Sequence, residues 1–260
     1  MNVVRMLTRS SCTVVGLTCL DEQLFVLDDT DVNQVKVYST KGYAYALLRQ
    51  FSVKGLNTPK DIASCGRYDR LYISDGGNSC VHKSTLNGDV IAKWALPDSP
   101  YGISITPSSN VLATCYSGRK LLELCSKSGK CIRQVELQSD IQCPWHAIEL
   151  AGQQYVVSHG REEKIRVCVV GVDGQVSLSY GGQSGTAAAT GQYFPHHMTS
   201  DGDNFAFVAN QNSRVALLNP SLQLVRHIKL EQQPYRLYLD HVTRRLYVGH
   251  GSGDVTIIQV

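Results

Sequence analysis

Paired cysteines, long apolar runs and net charge are all scarce in these 260 residues. The nine cysteines are odd in number, form no C-x-x-C pair, and stop at Cys168. That spacing excludes paired-ligand zinc modules and argues against a disulfide framework, so free thiols in a reducing, cytoplasmic setting are expected. No apolar stretch approaches the ~18 residues that cross a bilayer, and the opening MNVVRMLTRSS lacks the apolar segment of a signal peptide, so no membrane partner is expected. A net charge of +3 is too small to betray a nucleic-acid binder, which leaves the distribution of basic residues to decide. Contiguous catalytic signatures are missing too: there is no G-x-S-x-G nucleophile elbow and no G-x-x-x-x-G-K-[ST] phosphate cradle.

What the sequence does hold is a repeat. Pro59, Pro100, Pro144, Pro195 and Pro234 stand 41, 44, 51 and 39 residues apart, each followed by a strand-turn-strand pattern. An earlier copy without the proline begins at Thr13. Val/Ile/Leu/Tyr-rich runs alternate with Asp-Gly, Asn-Gly and Ser-Gly reversals, and no helical period is sustained. A four-stranded propeller blade needs ~40–50 residues, so the count predicts an all-β, six-bladed β-propeller. The expected blades are approximately 13–58, 59–99, 100–143, 144–194, 195–233 and 234–260 plus 1–12, in one domain over 1–260. The last copy is one strand short, and residues 1–12 are expected to supply it, closing the ring and removing exposed sheet edges.

FVLDDTDVNQVKVYSTKG (residues 25–42) and LYISDGGNSCVHKSTLNG (residues 71–88) follow a pattern of strand, Asp, polar turn, strand and Gly. In this they resemble NHL repeats, the six-bladed propellers found in tripartite-motif proteins. GGQSGTAAATGQYFPHHM (residues 181–198) is similar to that family's glycine-rich approach to a blade-opening proline. Where the family favours Asp after the second strand, Asp28 and Asp75 fit, whereas later copies carry Cys115, Ser158, Asn210 and His250. The resemblance implies a platform that binds protein or RNA. It also implies the substrate-choosing part of a ubiquitin-ligase-type protein, since ligase activity would need a RING domain whose Cys/His spacing is absent.

In such a ring the loops between blades and the second-to-third-strand turns open on one face. The proline loops bring Lys60, Tyr101, Trp145, His146, His196, His197, Tyr235 and Arg236 there. The turns bring Asp28, Asp31, Asp75, Asn78, Tyr116, Arg119, His159, Arg161, Lys164, Asn210, Asn212, Arg214 and His250. Basic groups interleaved with aromatics suit phosphates and unstacked bases, and the same inventory suits a protein hot spot. Tyr101, Trp145 and Tyr235 either stand exposed or fill the wedges between blades. Adjacent His196 and His197 point in opposite directions on a strand, and Asp61 is the one carboxylate near a blade opening, so neither metal nor cofactor is expected. The sequence therefore predicts a monomeric, non-catalytic scaffold recruiting a protein client through this face. Single-stranded RNA binding is the alternative, and a metal-dependent hydrolase ranks last.

Overall fold

The computed structural model describes residues 3–6, 12–29, 33–160, 165–181, 196–210 and 212–260. The expectations placed on Asp31, Arg161, Lys164, Pro195 and the glycine-rich 182–192 lie outside the described residues.

β1 is Val3–Met6. Blade I is β2 to β5, Val14–Leu20, Gln23–Asp28, Gln34–Ser39 and Leu47–Ser52. Blade II is β6 to β9, Pro59–Cys65, Arg70–Asp75, Cys80–Ser84 and Val90–Ala95. Blade III is β10 to β13, Pro100–Ile105, Val111–Cys115, Lys120–Leu124 and Cys131–Glu136. Blade IV is β14 to β17, Pro144–Leu150, Gln154–His159, Arg166–Val170 and Val176–Gly181. Blade V is β18 to β21, Met198–Ser200, Ala206–Asn210, Arg214–Leu218 and Leu224–Lys229. Blade VI is β22 to β24, Pro234–Asp240, Arg245–His250 and Val255–Gln259. These strands form six four-stranded antiparallel sheets, and β1 is the outer strand of the sixth, with Val3 opposite Ile258. The six-bladed propeller closed by its N-terminal strand is therefore the observed fold.

Burial peaks in the second strand of each blade and is lost at the outer one. The second strand of each blade is sandwiched between neighbouring sheets, so both of its faces must be apolar, and it reads as a run such as LFVL rather than as an alternation. Leu24 and Val26 pack toward blade VI, while Phe25 and Leu27 pack toward blade II. The outer strands are covered on one side only, and β9 is exposed at four of its six residues. Six apolar clusters result, one in each wedge between adjacent blades. All nine cysteines are unpaired.

The turn into an outer strand docks against the blade before it. In blade III this turn holds Gly129 in the left-handed region (φ 74°), and a Cβ there would come within 2.3 Å of the Trp94 ring. Gly129→Ala should lower unfolding stability by roughly 2–4 kcal/mol, combining left-handed strain with overpacking. Gly152→Ala, at φ 77° but facing open space, should cost only the strain, about 1 kcal/mol, and urea denaturation of both variants compares the two.

Candidate functional site

Proline has no N–H to donate, so it sits where an inner strand begins, at the rim of the ring. Just behind it the register slips. Bulges fall between Pro59 and Asp61, Pro144 and His146, and Pro234 and Arg236, with the same slip between Val14 and Gly16. A bulge sets two residues against one and re-aims their side chains. The second residue of each inner strand accordingly turns to the mouth of the channel, and the third turns into its throat.

At the mouth, Lys60, Tyr101, Trp145, His196 and Tyr235 follow one another around the ring. Lys60 Nζ lies 5.7 Å from the centre of the Tyr101 ring. Tyr101 meets Trp145 edge to face at 5.1 Å, Trp145 meets His196 at 5.3 Å, and His196 meets Tyr235 at 5.0 Å. Tyr116 joins from its turn, 5.3 Å from Trp145. The choice left open for Tyr101, Trp145 and Tyr235 thus resolves: they are half-buried and pack on one another around the opening, outside the apolar wedges. Beside them is a cavity of about 500 Å³ reached by Asn57, Lys60, Tyr101, Tyr235 and Arg236.

One layer below, the throat holds Asp61, His146, His197 and Arg236, with Gly16 and Gly102 at the remaining two positions. A Cβ on Gly102 would come within 2.6 Å of the Trp145 carbonyl oxygen and 2.8 Å of His146 Cα, so this position must be bare for the strands to approach. Asp61 Oδ1 accepts from the Ile62 N–H, and Oδ2 accepts from the Ile103 N–H (3.0 Å) and from His197 Nε2 (3.1 Å). The His146 ring stacks on His197 with centres 3.8 Å apart, and its Nε2 stands 3.6 Å from Asp61 Oδ2. Arg236 donates to the carbonyls of Val15, Tyr235 and Lys60, and its Nε is 4.0 Å from Asp61 Oδ1.

Burial works against the Asp61 charge, but His197, Arg236 and His146 outweigh it and hold the carboxyl below its ordinary range. Burial pushes His197 down against the pull of Asp61, and burial with the neighbouring His197 pushes His146 well down. The layer therefore sets an Asp61 carboxylate beside the Arg236 guanidinium and two imidazoles whose protonation burial disfavours. His197 Nδ1 accepts from the Leu237 N–H (3.3 Å), so its ring hydrogen sits on Nε2 and points at Asp61. Although Asp61, His146 and His197 lie close enough together to ligate one ion, that wiring leaves His197 no lone pair for a metal. Asp75, Cys80 and His82 make a second such cluster. The Asp75 carboxylate there is already occupied by Asn57, Thr58, Asn78 and His82.

The structure corrects the surface placement of five expected binding residues: His196, at the mouth, is 9% exposed, and four others lie deeper. His146 is 2% exposed, His159 0%, Arg236 1% and His250 1%. His146 and Arg236 belong to the throat. His159 and His250 end second strands opposite Pro144 and Pro234, where they serve their own blades: His159 contacts Cys168 and Arg166, and His250 contacts the Gln233 carbonyl and Thr256. Asp28, Asp75, Cys115 and Asn210 occupy equivalent buried ends. Arg119 is exposed in a turn of blade III and bonded to the Ser139 carbonyl, and Arg214 is exposed at the start of β20. The expectation for His196 and His197 holds: one turns to the mouth and the other to the throat. What the sequence reading missed is the throat constellation. Aligning PKD, PYG, PWH, PHH and PYR on their prolines would have shown it, because the third residue is the one that varies among charged, imidazole and glycine.

Asp61→Ala would strand the buried Arg236 charge and should destabilise the chain by about 3–5 kcal/mol in urea denaturation. Acid should weaken the fold before carboxylates titrate. His159 and His196, each pushed down to about 4 mainly by burial, bind protons less readily folded than unfolded. The stability they contribute is complete above ~6.5 and is lost as pH falls from there through about 4. His159→Gln should flatten the dependence of unfolding free energy on pH in that window by up to one proton, ~1.4 kcal/mol per pH unit.

No family model matches the chain, and no curated protein is similar to it. Solved structures are. Virginiamycin B lyase from Staphylococcus aureus matches at 10% identity and a TM-score of 0.71, covering 100% of this chain and 99% of its own. A streptogramin B lyase matches at 12% and 0.67, covering 100% and 86%. A Bacteroides caccae protein of unknown function matches at 16% and 0.67, covering 88% and 82%. At such identities the likeness establishes the fold. It also overturns the expectation of a non-catalytic chain: that expectation rested on the closed repeat architecture and on missing catalytic motifs, and the same architecture carries lyases among these neighbours. The chain is a six-bladed β-propeller of a kind that includes enzymes.

Proposed function

We propose that this propeller recognises a protein client on its proline-loop face, seating an acidic segment of the client in the channel mouth. The observation that carries the reading is the arc of Tyr101, Trp145, His196 and Tyr235, flanked by Lys60 and backed by the Arg236 guanidinium 4.4 Å from the centre of Tyr235. Rigid aromatic rings give contact area at little cost in side-chain entropy, and interface hot spots favour Trp, Tyr and Arg for that reason. Asp61 offsets the Arg236 charge from below, which leaves Lys60 as the cation that meets a carboxylate at the rim. Recognition at the mouth is a requirement shared by a binding protein and an enzyme, so the reading holds for either.

A displayed library of random peptides selected on the purified chain should enrich sequences carrying Asp or Glu. Their affinity should fall by roughly tenfold or more in Lys60→Glu and in Tyr235→Ala, both half-exposed positions. Enrichment without acidic residues, or binding indifferent to both variants, would overturn the proposal. A randomised single-stranded RNA pool, titrated at near-physiological salt, is the competing probe. Saturable RNA binding lost in the same variants would assign the face to nucleic acid instead.

A further inference from the structure

Beneath the throat the channel continues toward the first-to-second-strand turns as a second chamber of about 210 Å³, on the opposite side of the Asp61–Arg236 layer from the mouth. The aliphatic side chains that border it belong to the wedges between blades, so its polar wall decides what it can hold. Most of the hydroxyl hydrogens on that wall are already spent. Ser64 and Tyr238 both donate to the Cys19 carbonyl, and Ser104 donates to the Ala147 carbonyl. What these groups still offer is lone pairs. His146 closes the chamber on the throat side, where its ring lies against the Ile103 backbone and 3.6 Å from the Asp61 carboxylate, and burial disfavours its protonation.

Glu149 supplies the charge. It is the one carboxylate on the chamber wall, and no lysine or arginine lines the chamber among the described residues. It stands three residues beyond His146 on β14, ~10 Å farther from the throat. Its Oε2 is buried and makes no hydrogen bond. Arg133, the nearby guanidinium, is committed elsewhere: it donates to Gln153 and Tyr155 and lies 3.8 Å from Glu123. Burial, with Glu123 adding to it, pushes the Glu149 carboxyl up against the pull of Arg133. A buried carboxylate oxygen without a donor is costly, and a guest that brings a positively charged donor recovers that cost. An anion would be repelled there, and an apolar guest would leave the oxygen unpaired.

We infer that this lower chamber is a binding site for a small primary ammonium ion, paired with Glu149 and hydrogen-bonded by the hydroxyl oxygens around it. An ammonium has donors and no acceptor, and this wall has acceptors to spare, so the two inventories match. The site is separate from the mouth, where Lys60 selects the opposite charge, and it does not depend on what the mouth recognises.

Ethanolammonium, ethane-1,2-diol and glycolate are the probes, a cation, a neutral molecule and an anion of similar size, titrated calorimetrically into the intact chain at one ionic strength. Ethanolammonium should bind saturably and the other two should not. Glu149→Gln should weaken ethanolammonium by roughly tenfold or more. Ethanolammonium that fails to saturate, that binds Glu149→Gln equally well, or that is matched by glycolate overturns the inference. Should Glu149→Gln fail to fold, Ser200→Trp fills the chamber while keeping the carboxylate and should abolish binding; binding that survives it overturns the inference. Lys60→Glu at the mouth should leave ethanolammonium binding unchanged, and tighter binding there would place the probe in the mouth and reject the chamber.

Discussion

Each inner strand is paired on one side only, and its other edge turns toward the axis of the ring. No further strand fits there, so the N–H groups along that edge need acceptors from somewhere else. The adjacent blade supplies them through side chains. Asp61 takes the Ile103 N–H, His197 takes the Leu237 N–H, Thr18 takes the Ser64 N–H and Thr199 takes the Leu239 N–H. Every such contact joins one sheet to the next across the channel wall, which makes a set of separate hairpins into a ring. The same need brings polar and ionisable groups to the one place in the molecule where a channel exists.

That coupling explains why structure and chemistry are hard to separate in the throat. Asp61 anchors the backbone of blade III, orients an imidazole of blade V and balances a guanidinium of blade VI. A carboxylate with so many partners is fixed in place, and it holds the Nε2 hydrogen of His197. The two glycines of the layer are part of the same arrangement, since side chains at all six positions would not fit together.

The fold was legible in the sequence because the blades carry their own signals: a proline opening five of the six copies, an apolar run for the sandwiched second strand, and turn dipeptides at several reversals. Even the missing outer strand of the last blade could be inferred by counting. The throat was not legible in the same way. Its members come one per blade, so Asp61 and His197 meet across 136 positions of chain, and no contiguous motif can record that. Absent motifs therefore carry no argument for an absent active site in this fold, since a set assembled one residue per blade leaves no contiguous motif to find. His159 and His250 were misplaced by a related effect: their strand position is evident, but the bulge that sets them opposite a proline and under the surface shows only in the register.

The N-terminal strand deserves a different description from that of an outer edge. Val3–Met6 comes before every other strand of the ring in chain order, and its partner Val255–Gln259 comes after them all. The first strand therefore has no mate until the rest of the ring has been made, while the blades between accumulate with open sheets at both ends. Closure is a late and single event, more like fastening a clasp than adding a link. A chain halted before Val255 would keep five blades and still lack a closed ring around the throat to which four separate blades contribute.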